Sequence, residues 1–332
     1  MNIGTIILQK GEKQTGYIRT AYTADGAEVH VPLMTVCGAQ DGPVLWINAG
    51  VHGEELSGIF AIHKLIDQLD PAALSGVVVA SPGCNPLAIR GCQKVTVEDH
   101  LDMDMQFPGR PDGWLSEQMA YHFFNAVKQT ANYLIDLHAL GGVNAAPYTI
   151  YKSLPGVEPK INEISRAMAL NMGIGFNCYV DLATATGELP GNVSCALDIQ
   201  AVLHGIPSIM AEMGAGNRII WENVDIVTEG LLNNMRYLGM LPGETQAFTG
   251  QKIITKRNFP CSHRGGLAVP AAEVGTVVKK GQTMARIVDF TGKELERMDA
   301  PQDLLLIGAL ENPVVHSGKI VVVCGLEWEE VN

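Results

Sequence analysis

The stretch Val44-Leu45-Trp46-Ile47-Asn48-Ala49-Gly50-Val51-His52-Gly53-Glu54-Glu55 decides how this chain reads. Its first six residues are a near-continuous apolar run, the pattern of a strand buried on both faces, and Gly50 to Gly53 break it. From Glu54 the spacing turns helical, with Leu56, Ile59, Phe60, Ile62, Leu65 and Ile66 on one face, which places Glu55 in the first helical turn. His52 then stands at the carboxyl end of a strand. The three-residue step across the bend lets His52 and Glu55 face one cation. Ala131 to Leu137 reads as a second buried strand that brings His138 to its end, just before Gly141-Gly142. In open α/β sheets, ligands gather at the carboxyl ends of strands.

Alone, a His-x-x-Glu step carries little weight, because the helix dipole also favours an acidic residue at a helix start. Asp136-Leu137-His138 alone is no stronger. Together at strand ends, His52, Glu55 and His138 supply the imidazole, carboxylate and imidazole of an open catalytic zinc site, whose fourth position is left to a water with a pKa near about 7. A third strand, Ile206 to Glu212, ends on a carboxylate followed by Met213-Gly214. Glu212 is the candidate general base, able to accept a proton from that water and pass it to a departing amine.

These motifs, with Phe107-Pro108-Gly109, resemble the pattern of the succinylglutamate desuccinylase and aspartoacylase family, a branch of the zinc carboxypeptidase-like hydrolases, over about residues 30 to 325. The resemblance implies one zinc per chain on His52, Glu55 and His138, with Glu212 promoting attack on an amide carbonyl. It also implies that Asp102 supports the first zinc histidine and fixes its tautomer. Lys94 and Arg90, in the stretch Asn85 to Lys94, are the candidates for steadying the developing oxyanion.

One departure bears on the substrate. Family members carry D-x-N-R before the Phe-Pro-Gly step, the Asn-Arg pair gripping a carboxylate, whereas this chain reads Asp102-Met103-Asp104-Met105-Gln106. Neither Asp104 nor Met105 can replace arginine's planar fork. Either the substrate lacks a carboxylate there, and carries an amine that Asp104 pairs with, or Arg90, Lys94, Arg110 or Arg264 supplies the charge; the first is favoured. The polar loop Thr184 to Asn192, with Gly187 and Glu188, is the candidate substrate-selecting segment. The expected function is a zinc-dependent deacylase acting on a small N-acylated amine or amino-acid derivative. The alternatives are a carboxypeptidase acting on small peptides and a non-hydrolytic metal-binding module.

Bulk properties fit that expectation. The 332 residues, 47% hydrophobic, suffice for one large and one small domain. A charged fraction of 17% is low, which suggests a homo-oligomer. The net charge of -12 argues against a nucleic-acid partner, for which a basic stripe would be expected. No membrane span and no secretory signal is visible, and seven unpaired-looking cysteines suit a cytoplasmic setting.

The expected fold is α/β, with a mixed, mostly parallel sheet carrying helices on both faces. Residues 1–38 read as short N-terminal strands, 39–245 as the α/β hydrolase domain, and 248–332 as a C-terminal β-domain. Strands are expected near 44–50, 76–81, 132–138, 146–151 and 206–212, with helices near 54–69, 115–130, 158–171, 192–204 and 221–238. Val277 to Gln282 and Val314 to Lys319 form a weak repeat similar to the barrel-sandwich hybrid of biotinyl and lipoyl carriers. Ala300-Pro301-Gln302-Asp303 stands where a carrier lysine would be, so the segment reads as a wall of the active-site mouth instead.

Overall fold

In the computed structural model, which describes residues 1–184 and 195–331, the chain opens with a small ribbon of β1 (Asn2–Ile3) and β2 (Ile6–Ile7). The hairpin β3 (Lys13–Tyr22) and β4 (Glu28–Cys37) follows, then β5 (Gln40–Ala49), α1 (Ser57–Gln68) and β6 (Ser75–Ser81). Next come α2 (Pro86–Gly91), a 3-10 turn at Met103–Met105, α3 (Leu115–Thr130), β7 (Tyr133–Leu140), β8 (Val143–Ala145) and β9 (Tyr148–Ser153). The main body continues through α4 (Pro159–Asn171), β10 (Phe176–Asp181), α5 (Leu197–Leu203), β11 (Ser208–Ala215), α6 (Trp221–Tyr237) and β12 (Lys252–Asn258). The C-terminal part holds β13 (Gly266–Pro270), β14 (Val277–Val278), β15 (Thr283–Val288), β16 (Glu294–Asp299), β17 (Leu304–Leu310), β18 (Val314–Val315) and β19 (Val322–Glu330).

One large mixed sheet runs β14-β17-β19-β12-β10-β9-β11-β7-β5-β6-β4-β3. Parallel pairing is confined to its centre, in the runs β6-β5-β7-β11 and β9-β10-β12, and both wings are antiparallel. β9 runs antiparallel to β11, which joins the two parallel runs. β12 lies beyond residue 245 yet belongs to this sheet, and β19 pairs with it, so the C-terminal part is stitched to the main body through backbone hydrogen bonds. A four-stranded sheet, β16-β15-β13-β18, closes over β17 and β19 around Met284, Ile287, Leu306 and Val322.

Period-two alternation explains where the site lies. On β5, Leu45, Ile47 and Ala49 face one core, with Ile135 and Leu137 of β7 and Ile209 and Ala211 of β11 beside them, under α1, α4 and α6. The other face begins apolar, with Trp46 and Leu134 packed under α3 beside Phe107, Phe123 and Phe124. Toward the carboxyl ends of β5, β7 and β11 that second face turns polar: Asn48, then Asp136 and His138, then Glu212, all buried. The polar groups therefore sit at the edge of the apolar layer, on strands that cannot shift register without exposing the core.

Candidate metal centre and active site

β5 ends at Ala49, just before Gly50, whose φ of +72° suits glycine, and the backbone turns through His52 to Glu55 before α1 begins. Gly53 lies against α2, where an added Cβ would stand 1.9 Å from the Ala88 carbonyl oxygen. Its N–H donates to the Gln93 carbonyl at 2.9 Å, and those of Cys84 and Asn85 donate to the carbonyls of Ala49 and Gly50. The His-Gly-Glu-Glu turn is thus clamped from the α2 side. Glu55 lies two residues ahead of the helix, which starts at Ser57, rather than in its first turn. The cause is local: the Glu55 N–H bonds the His52 carbonyl at 3.3 Å in a tight turn, and the Glu55 side chain leans across to accept from the Ala139 N–H at 3.0 Å.

Both imidazoles turn Nδ1 toward this carboxylate. His52 Nδ1 is 2.9 Å from Glu55 Oε1 and His138 Nδ1 is 3.0 Å from Glu55 Oε2, the two rings standing 5.0 Å apart. Their outer nitrogens face carboxylates as well: His52 Nε2 is 3.0 Å from Asp102 Oδ1, and His138 Nε2 is 3.2 Å from Asp136 Oδ2. Each outer carboxylate favours the Nε2–H tautomer, which leaves the Nδ1 lone pairs converging on one point. The donor atoms of His52, Glu55 and His138 all lie within 4.8 Å of one another, so these residues could hold a metal ion. Two imidazoles and a carboxylate are a donor set of catalytic zinc sites.

The electrostatics point the same way. Burial works against a charged imidazole, but Glu55 and Asp102 overcome it and push His52 up to about 10. Burial opposes the ionised form of Glu55 too, and the two imidazoles still hold it well below the usual carboxylate range. The cluster stabilises positive charge between its donors.

Glu212 stands beside His138 in the β7·β11 register, buried on the same face, with its Oε2 lacking any hydrogen-bond partner. Burial, then the charge of Glu55, raises it to about 7. A carboxylate poised there suits proton transfer near neutral pH. Lys94 Nζ is 3.1 Å from Asp102 Oδ2, on a loop pinned by buried Thr96, which accepts from Asn85 and Ser116 at 2.9 and 2.6 Å.

Residues 41–238, more than half of the chain, match the model of the succinylglutamate desuccinylase/aspartoacylase catalytic domain. The chain belongs to this family. It is 24% identical over 295 residues to an N-alpha-acetyl-L-2,4-diaminobutyric acid deacetylase of Halomonas elongata, covering 86% of this chain and 83% of that protein. A succinylglutamate desuccinylase/aspartoacylase of Rhodobacter sphaeroides superposes with a TM-score of 0.85 at 23% identity, over 99% of both chains. The product-bound ectoine utilization protein of Ruegeria pomeroyi gives 0.86 at 22%, over 97% of this chain and 98% of that one. No helix among the described residues is long and apolar enough to cross a membrane.

Within this family frame, the remaining sequence candidates separate. Asp102 caps the 3-10 turn and meets His52, while Asp104 on the same turn is 4% exposed and accepts from the Leu197 N–H at 3.3 Å. Burial raises Asp104 to about 6, and its carboxylate lies close to Asp136 and His138. Met105, at the family's arginine position, is half-buried. Arg110 is not brought to the site: its guanidinium is tied to Glu117 by two 3.0 Å bonds on the surface. Arg90 is exposed and its charge acts on Asp25, away from the metal donors, and Arg264 is exposed on the C-terminal part. Gly187 and Glu188 lie outside the described residues.

Three buried residues escape the sequence reading. Asp136 was visible only as part of a motif, and its contact with His138 depends on both sharing one strand face. Tyr148 and Arg257 are the others. Tyr148 is paired with Glu212 across β9·β11, and Arg257 is the one buried arginine among the described residues. Neither carries a local motif, so only strand register could have found them.

Proposed function

We propose that this chain is a zinc-dependent deacylase that hydrolyses the amide bond of a small N-acylated amino-acid derivative bearing a further amine. The observation that carries the reading is the row of His138 and Glu212 on one sheet face, with an unpartnered, buried Glu212 oxygen next to a two-histidine, one-carboxylate cluster. Zinc held by His52, Glu55 and His138 would supply Lewis acidity, polarising the acyl carbonyl and lowering the pKa of a water to about 7.

The chain's own residues do the rest. Glu212 accepts the proton of the attacking water and delivers it to the amine nitrogen as the carbon–nitrogen bond breaks. Lys94 meets the charge that grows on the acyl oxygen; burial disfavours its cationic form, but Asp102 outweighs that and keeps it protonated. Asp102 and Asp136 hold the two imidazoles in the orientation that presents Nδ1. Asp104 stands where the family has asparagine, and a buried carboxylate there suits an ammonium group on the amine half. The name of the Halomonas elongata relative, a deacetylase of a diamino acid, supports that choice. A homo-oligomer in the cytoplasm, without nucleic-acid or membrane partners, fits the composition.

Zinc content and turnover test the reading together. The Glu212→Gln protein should retain about one zinc per chain while hydrolysis of N-acetyl-L-2,4-diaminobutyrate falls roughly 10²–10⁴-fold. Unchanged hydrolysis removes Glu212 as the base, and a wild-type chain that binds no zinc removes the mechanism.

A further inference from the structure

A second group of donors adjoins the first. Asp104 of the 3-10 turn, Asp136 of β7 and His138, two residues further along the same strand face, offer ligand atoms that all lie within 4.8 Å of one another, as His52, Glu55 and His138 do. All three are buried, at 4%, 0% and 3% exposure. Unlike the first group, this one carries two carboxylates, and among the described residues neither has a lysine or arginine partner. Asp104 Oδ1 accepts from the Leu197 N–H at 3.3 Å and Asp136 Oδ1 from the Asn48 amide at 2.8 Å, both neutral donors. Two carboxylates this close in the interior repel one another, and a cation between them reverses the sign of that interaction.

Unsatisfied atoms mark where such a cation belongs. Asp136 Oδ2 and His138 Nε2 are both buried without a hydrogen-bond partner, although they stand 3.2 Å apart. That spacing is close to the edge of a tetrahedron of ligands held at zinc-ligand distances from one ion, roughly 3.3–3.6 Å. Asn48 Oδ1, on the same amide that grips Asp136, is partnerless too, and so is Ser81 Oγ. Ser81, Asn48 and Asp136 lie in register across β6, β5 and β7, so these neutral oxygens share the sheet face of the carboxylate. An asparagine at position 104, the family's residue, would bring one more neutral oxygen there. Asp104 brings a charged one, which makes the group a hard, anionic donor set.

We propose that Asp104, Asp136 and His138 form a second divalent-cation site, which inhibits the enzyme when it fills. His138 belongs to both sites, turning Nδ1 to Glu55 and Nε2 to Asp136. A neutral imidazole has one lone pair to give. An ion held through Nε2 therefore takes His138 from an ion held through Nδ1 and leaves that one on His52 and Glu55. The first site has two imidazoles, the donors that suit zinc, so it fills first. The inhibition rests on the deacylase reading, under which the second ion also covers the Asp104 carboxylate that meets the substrate's ammonium; the binding does not.

The experiment titrates zinc into metal-free wild type, Asp104→Asn and Asp104→Ala, counting bound ions by calorimetry and mass spectrometry. Hydrolysis of N-acetyl-L-2,4-diaminobutyrate is followed over the same zinc range, each protein against its own rate at one equivalent. Wild type should bind one zinc tightly and a second about tenfold or more weakly, its rate falling about fivefold or more as the second fills. Both variants should keep the first zinc, bind the second about tenfold or more weakly than wild type does, and hold their rates within about twofold. Surface thiols and imidazoles are the same in all three proteins, so the difference reads Asp104 alone, and Asp104→Asn keeps the shape of the side chain. A wild type that stops at one zinc, a rate undiminished as the second ion binds, or variants that take the second ion with wild-type affinity overturn the proposal and leave the deacylase reading intact. Wild type that binds two ions as described and cleaves no amide at one equivalent overturns the deacylase reading alone, and wild type that binds no zinc overturns both.

Discussion

Replacing Asp136 should damage metal binding more than replacing Asp102, although each carboxylate faces one imidazole. The side chain of Asp102 is 19% exposed, so in Asp102→Ala a water can take over acceptance from His52 Nε2. Asp136 has no exposure at all. Its Oδ1 accepts from Asn48 Nδ2 at 2.8 Å and its Oδ2 lies 3.2 Å from His138 Nε2, so Asp136→Ala strands one buried donor and removes the negative charge beside the imidazole. At about 1–3 kcal/mol for the stranded donor, folding stability should fall by about that amount. Loss of an outer-shell carboxylate typically costs 10–100-fold in metal affinity. Asp102→Ala belongs at the lower end of that range and Asp136→Ala at the upper, a difference of about 1.4 kcal/mol between the two. Asp136→Asn is an informative intermediate. If its oxygen stays on Asn48, its amide faces His138 Nε2 and drives the proton to Nδ1, the nitrogen that faces Glu55. If Asn48 flips instead, using its partnerless Oδ1, the tautomer survives and only the charge is lost. Competition with a chromophoric zinc chelator at neutral pH measures the affinities, and urea midpoints measure the stabilities. Asp136→Ala binding zinc within threefold of wild type, or better than Asp102→Ala, would refute the claim that this buried carboxylate sets the His138 tautomer.

Asp104→Asn restores the family's asparagine, and it should lower the preference for N-acetyl-L-2,4-diaminobutyrate over N-acetyl-L-2-aminobutyrate at least tenfold; an unchanged preference in a kcat/KM comparison removes the ammonium contact. Gly53→Ala should cost about 1–3 kcal/mol and weaken zinc binding at least tenfold, because the new methyl meets the Ala88 carbonyl and displaces the turn that carries His52 and Glu55. Wild-type zinc affinity in that variant, measured with the same chelator, would show that the turn relaxes without moving its donors.

Much of the candidate metal centre was legible because it is local. The apolar run into Gly50, and again into Gly141, marks strand ends, and strand ends are where an α/β sheet presents its chemistry. The start of α1 was misplaced for a related reason: Leu56, Ile59 and Ile62 show a helical face, but hydrophobic spacing does not register that Glu55 is pulled off the helix by Ala139 and the two histidines. Strand β10, Phe176–Asp181, was not anticipated, since Asn177 breaks the apolar pattern; its side chain is buried and meets Thr149 of β9 at 2.6 Å. The antiparallel wings have no counterpart in the alternating helix and strand pattern from which a mostly parallel sheet was expected.

What the sequence hides is register, and register is what completes this site. His138, Glu212 and Tyr148 lie 64 to 74 residues apart or only ten, yet pairing across β7, β11 and β9 sets them in a row, while Asn48 and Asp136 form the row beneath. A one-residue slip of β11 would turn Glu212 into the opposite core and bring Ala211 to the metal side. Ile209 and Ala211, both fully buried on that opposite face, resist the slip at roughly the cost of exposing their apolar surface. The apolar alternation that stabilises the sheet is therefore also what aligns Glu212 with the candidate metal donors, and the same logic fails for β12, where the breaks in register let Arg257 point inward in place of Lys256. A buried arginine turned inward that way leaves no signature within any window of sequence, whereas the candidate metal ligands, each set near its own strand end, do.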